Sequence, residues 1–158
     1  MSVHGTDEAA IHGVKRSDKW HRVEKDFLAK NPTCAASGIT VGNQAHHVIP
    51  FHFCILLGRP DLELDERNLI NLSESEKGLK ETNYHLLIGH ADSFKSSNIH
   101  VREDAIAFYG KSADEIINSI TWQDRVKDRL KSWDTMTDDD KKTLRALMDE
   151  LYPLVGHP

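Results

Sequence analysis

The chain is short of several things. It has two cysteines, Cys34 and Cys54, in 158 residues, too few for the disulfide framework that holds small secreted domains together. No apolar run approaches the roughly 20 residues a membrane span needs. Met1 to Ala10, with His4, Asp7 and Glu8, carries no hydrophobic stretch of the signal-peptide kind. These absences point to a soluble, cytoplasmic protein with no membrane partner. A basic surplus is missing too: 20 Lys+Arg stand against 25 Asp+Glu, and residues 1–110 alone hold 12 against 15. Phosphate contacts supply most of a nonspecific nucleic-acid binder's affinity, so a protein that binds by charge alone is not expected. There is no internal repeat and no low-complexity segment. What the chain does have is histidine. It holds ten, six of them from His46 to His100, against an ordinary share of about 2%. The chemistry is to be sought there.

The first fifteen residues are polar, without apolar period, and read as a mobile arm over 1–15. Trp20, Val23, Phe27 and Leu28 recur at helical spacing, with Ser17 as N-cap and Asn31-Pro32 as the stop. Between Thr33 and Phe51, the turn signals Gly38 and Gly42-Asn43 precede a β-branched and aromatic stretch. That predicts a hairpin whose second strand carries His46 and His47. Cys54 to Glu66 reads as a loop broken by Gly58 and Pro60, and Asn68 to Leu72 as a brief strand or buried turn. Ser73 with Glu76 forms a capping-box pattern that opens an interrupted helical segment towards His90.

Val101, Ala105 and Phe108 make a further helical stripe. Ile116, Ile117, Ile120, Val126, Leu130 and Trp133 make another, broken near Thr121. Thr137 with Asp140 caps a last helix whose Leu144, Leu147, Met148 and Leu151 share one face. The expected fold class is α+β and mostly helical overall. A hairpin-and-helix core with its preceding helix fills 16–110, and a C-terminal helical extension over 111–158 packs on it.

Side chains alternate along a strand, so His46 and His47 point to opposite faces. One can hold a metal while the other addresses a separate point of the same cleft, provided the strand twists or ends there. A downstream Asn can fix an imidazole tautomer through one hydrogen bond. His85 and His90 lie five apart, about 140° round a regular helix. They share a metal only if the segment bends at Gly89.

Three ordered blocks carry a resemblance: Ala45-His46-His47-Val48-Ile49-Pro50-Phe51, then Leu62 to Ile70 around Asn68, then Asn83-Tyr84-His85-Leu86-Leu87-Ile88-Gly89-His90. With the upstream Arg16-Ser17-Asp18-Lys19-Trp20 and Phe27 to Cys34, they resemble the HNH endonuclease family over about residues 16 to 98. The resemblance implies a small ββα-metal core and metal-dependent hydrolysis of phosphodiester bonds in DNA, with RNA also open. It implies that His46 and His85 are metal ligands, with His90 as a further one. His47 would be the general base that deprotonates water, and Asn68 the residue that keeps site and loop in register. One divalent ion, Mg²⁺, Mn²⁺, Ni²⁺ or Zn²⁺, would suffice. A histidine with its ordinary pKa near 6.5 accepts a proton at neutral pH, and a metal with open positions neutralises the charge that builds on the phosphate.

The chain departs from many relatives in one respect. Ser37 stands where a second cysteine of a structural zinc site would follow Cys34, Ser73 near a third and Tyr84 near a fourth. One thiolate cannot close a site that takes four N or S ligands, so a structural zinc is expected to be absent.

Other residues have two readings each. His90 is a ligand or a structural histidine. His52 packs or faces solvent, His21, His100 and the two N-terminal histidines lie at the surface, and Cys54 fills the core. Lys95 holds a phosphate or is an ordinary solvated lysine. Lys15, Arg16, Lys19 and Arg22 contact nucleic acid or form a solvated helix face. Two rival functions stand beside the nuclease: a non-catalytic metal- or nucleic-acid-binding module, and a nuclease toxin domain held by an inhibitor. The negative charge also suggests a protein partner for targeting or inhibition.

Overall fold

The computed structural model describes residues 16–40, 42–74, 83–91, 93, 96–130 and 132–154. Helix α1 is Trp20–Lys30. Ser17 does not cap it: its hydroxyl accepts from the Lys19 amide, two residues before the helix amides begin to need a cap, and Lys19 occupies the cap position. The stop is as the sequence requires. Asn31 folds its side-chain amide back onto the Phe27 carbonyl at 3.0 Å, and Pro32 keeps the preceding residue out of the helical region. Trp20 and Phe27 leave the same face and meet Ala45 and Leu69 in a small apolar cluster of their own.

The sheet has two strands, β1 at Asn43–His47 and β2 at Leu69–Ser73, paired antiparallel with His46 opposite Ile70 and His47 opposite Leu69. The hairpin expected within 33–51 does not form. Gly38 and Gly42 do turn the chain, with φ of 76° and 70°, but β1 takes its partner from the apolar burst after Asn68. Gly42 is where the two strand ends pass closest. Its carbonyl accepts from the Glu74 amide at 2.7 Å, and a Cβ there would lie 2.1 Å from the Glu74 carbonyl oxygen.

The connection between the strands is not the loop expected over 54–66. It holds α2 at Phe51–Leu56 and two 3-10 turns, Pro60–Glu63 and Glu66–Asn68. Pro60 begins the first turn because its fixed φ suits a first helical position. Ser73 ends β2, and its capping partner Glu76 lies outside the described residues, as does the arm expected over 1–15. A single π-helical turn, His85–Gly89, follows.

Four helices close the chain: α3 at Val101–Ala107, α4 at Ala113–Ile117, α5 at Ile120–Arg129 and α6 at Asp138–Leu151. The break expected near Thr121 falls at Asn118-Ser119, because the Ser119 hydroxyl caps α5 through the Trp122 amide. That cap sets the rotation of α5, so Trp122 is buried while Ile120 is 75% exposed, against the stripe that included it. Leu130 and Leu151 are exposed as well. Thr137 and Asp140 form the reciprocal capping box at the start of α6.

One main core runs from Cys34 through Val48, Phe53, Ile88 and Ile116 to Met148 and Tyr152. The architecture is thus α+β and mostly helical, with a small two-stranded sheet. Among the described residues, no helix is long and apolar enough to cross a membrane.

Candidate metal centre

Three buried histidines converge. Their ligand atoms from His46, His85 and His90 lie within 4.8 Å of one another. His85 Nε2 is 3.1 Å from His46 Nδ1 and 3.3 Å from His90 Nε2. Two nitrogens bound at about 2.0–2.1 Å to one tetrahedral ion are separated by about 3.3–3.4 Å. The rings therefore stand at ligand spacing.

The local backbone explains the meeting of His85 and His90. No bend at Gly89 is needed, contrary to expectation: in a π turn, closed at i+5, residues five apart stack on one face instead of diverging. Gly89 serves the site differently. A Cβ there would stand 3.2 Å from both Cε1 and Nε2 of His46 and 3.1 Å from Leu72 Cδ1. The bare glycine lets the His46 ring lie against the turn.

The outer nitrogens of two rings are held. His85 Nδ1 is 2.8 Å from Glu74 Oε2, and His90 Nδ1 is 2.8 Å from the Ser96 carbonyl oxygen. A carbonyl or a carboxylate only accepts, so both Nδ1 atoms donate and a neutral ring turns a bare Nε2 lone pair inward. The two Nε2 atoms stand 3.3 Å apart, where either a shared proton or a metal ion would join them. Burial, then the neighbouring His85 and His90, hold the His46 pKa well below its ordinary value, which keeps that ring neutral and fit to donate its electron pair. Its Nε2, beneath Gly89, has no hydrogen-bond partner. Three buried imidazoles at this spacing could hold a metal ion.

His47, the last residue of β1, leaves on the opposite face and is not part of this cluster. Its ring stacks on Trp20 at 4.5 Å between centroids, with Phe51 at 5.9 Å. Its Nε2 donates to the Glu63 carbonyl at 2.8 Å, which leaves Nδ1 as the basic nitrogen. Burial, opposed by that hydrogen bond, lowers its pKa to about 3, so the ring is neutral throughout the physiological range.

Asn68 makes no side-chain hydrogen bond to His47 or to the triad. It is fully buried, donates to the carbonyls of Ile49 and Leu62 at 3.0 and 3.2 Å, and accepts from the Ile49 amide at 2.9 Å. It stitches both ends of the β1–β2 connection, next to His47 on one side and Glu63 on the other.

Arg16 lies over Trp20 and Phe51, 4.9 and 4.7 Å from their ring centroids, and its Nε is buried without a hydrogen-bond partner. Lys19 is exposed, and Lys95 lies outside the described residues. His52 packs between Phe51 and Phe53. Cys54 is buried, its thiol pushed up to about 12 by burial. Cys34, also fully buried, has Ser37 and Ser73 beside it, so the positions singled out for a structural zinc do come together but offer a single sulfur.

Sequence reading missed the partners that orient the rings. Glu74 carried a weak signal, a carboxylate directly after the strand opposite His46. The carbonyls of Glu63 and Ser96 carried none, since every residue has one. In comparisons with known proteins, no family model matches this sequence, and neither a curated protein nor a solved structure matches it.

Proposed function

We propose that the chain is a metal-dependent endonuclease of the HNH type, hydrolysing phosphodiester bonds of DNA. The observation that carries the reading is the His46–His85–His90 cluster at ligand spacing, with a neutral histidine of fixed tautomer as the next residue of the same strand. His46, His85 and His90 hold the ion, oriented by Glu74 and Ser96. A divalent cation there supplies positive charge for the phosphate oxygens and the leaving 3′ oxygen. His47 Nδ1 takes a proton from the attacking water. Its pKa of about 3 in the substrate-free protein makes it a weak base there, and a negative phosphate beside it, with the Glu63 carbonyl on Nε2–H, raises its basicity for that step. The phosphorus–3′-oxygen bond breaks as the water oxygen bonds to phosphorus. Asn68 holds the connection that places Glu63 under His47. Arg16, with an unmet donor beside the Trp20–His47 stack, is the cation for a phosphate oxygen, and Lys19 and Lys95 are outer contacts.

A second reading is favoured by one observation: all four rings are less than a tenth exposed. A metal so enclosed suits a structural centre in a non-catalytic binding module. The two readings part in one assay. Metal-stripped protein is given Mg²⁺, Mn²⁺, Ni²⁺ or Zn²⁺ in turn with supercoiled plasmid, beside His47→Ala. Nicking that needs the metal and is lost in His47→Ala, with metal binding kept, supports the nuclease. Metal binding without cleavage of plasmid, single strands or RNA supports the structural centre.

A further inference from the structure

The C-terminal helix reaches back to the connection that carries Asn68. Arg102, on α3, donates through Nη2 to the carbonyls of Arg67 and Leu69, the two residues flanking Asn68. Its Nη1 donates to the Tyr152 hydroxyl at 3.0 Å. Tyr152, 3% exposed, stands just past the end of α6 with its ring in the main core. Its carbonyl accepts from Arg59 Nη2 at 2.5 Å, and Arg59, 2% exposed, also binds Asp149 at 2.8 Å. Arg67 donates to the Pro153 carbonyl at 3.0 Å, and Arg145 to the Leu57 carbonyl at 2.5 Å. One buried tyrosine thus meets two arginines, Arg59 within the β1–β2 connection and Arg102 on α3.

We propose that Arg102 and Tyr152 are positioning residues for the His47 site. Arg102 Nη2 alone meets both carbonyls, and the rigid plane of the guanidinium ties that nitrogen to Nη1, which Tyr152 holds. Together they hold Asn68 in place, and the Asn68 amide, bonded to the Leu62 carbonyl, places the next carbonyl, that of Glu63, under His47 Nε2. The side chains that set the tautomer of His47 therefore include one from the last turns of the chain. The catalytic consequence rests on the nuclease reading; the geometric one does not.

The test uses the full chain with Arg102→Ala, Tyr152→Phe and the double variant. Tyr152→Phe keeps the core ring and removes only the hydroxyl, so it stays informative if Arg102→Ala folds poorly. Two quantities are read per folded molecule: the kcat and KM of metal-dependent plasmid cleavage, and the ¹⁵N shifts of the His47 ring, which report its tautomer. Expected for Arg102→Ala are a loss of about 10- to 100-fold in kcat with KM unchanged and a His47 ring that mixes tautomers. Tyr152→Phe gives a smaller change in the same direction and adds nothing in the Arg102→Ala background, because it acts through Arg102. Unchanged ¹⁵N shifts in both single variants overturn the proposal, as does a Tyr152→Phe effect that persists undiminished without Arg102. If wild-type protein cleaves nothing, moved ring shifts still uphold the positioning role, and it is the nuclease reading that fails.

Discussion

Replacing Gly89 by alanine is the sharpest probe of the metal centre, because it adds one methyl group and removes no ligand. The added carbon would stand 3.2 Å from two atoms of the His46 ring and 3.1 Å from a Leu72 methyl. Ordinary carbon contacts lie at about 3.5–4.0 Å, so something must retreat by roughly 0.3–0.5 Å. Leu72 is fully buried in the main core. The His46 ring has the cluster behind it and moves towards His85 and His90. A metal site tolerates about 0.2 Å in its ligand distances, so the movement exceeds the margin. Affinity for Co²⁺ or Zn²⁺ should fall about 10- to 100-fold, the loss typical of a disturbed ligand support, or about 1.4–2.7 kcal/mol. The metal-free protein should change much less. Overpacking costs about 1–3 kcal/mol, and alanine returns about 0.5–1 kcal/mol of backbone entropy relative to glycine. Titration with Co²⁺, followed by its visible absorption, gives the first quantity, and urea unfolding of the stripped protein gives the second. Unchanged metal affinity in Gly89→Ala would refute the placement of His46 as a ligand against the π turn.

Three further outcomes are expected. Asn68→Ala leaves an amide and two carbonyls unmet in a fully buried position and should cost about 2–4 kcal/mol; a change under about 0.5 kcal/mol in urea unfolding would mean that the connection does not depend on it. In metal-free protein, His46 is held well below its ordinary pKa and His47 at about 3, whereas both take up protons near pH 6.5 once unfolded. The unfolded chain therefore binds more protons as pH drops below 6.5, and stability should fall by about 2–3 kcal/mol between pH 7.5 and 5.5; equal unfolding free energies at the two values would contradict the burial of these rings. Metal analysis should find one tightly held ion per chain, lost in His85→Ala and kept in Cys34→Ser, and retention of zinc at Cys34 would overturn the single-sulfur argument.

Elements whose cause is local were legible in the sequence: α1 with its Asn31-Pro32 stop, and the Thr137–Asp140 cap of α6. The pairing of β1 was not. Turn residues at Gly38 and Gly42 suggest a hairpin, and only the tertiary fold brings Leu69–Ser73 alongside instead. The histidines were legible as a set because their residue types are unusual. Their convergence was implied by the resemblance and not by spacing, because a π turn leaves no periodic mark in five residues. Arg102, which meets the carbonyls on either side of Asn68, carries no sequence signal, since backbone carbonyls are acceptors that no residue type announces.

The depth of the triad bears on how an ion comes and goes. With each ring less than a tenth exposed, a cation cannot be handed from bulk water to one imidazole and then the next across an open surface. Were an ion held there, its entry and escape, and the approach of a phosphate to it, would wait on a local opening of the fold, whose frequency is set by stability and not by the lifetime of a metal–nitrogen bond. The protein should therefore keep a memory of its folding medium. An ion enclosed when the strands and the π turn first close would stay, even where a stronger-binding ion is offered later, until the structure opens enough to trade it.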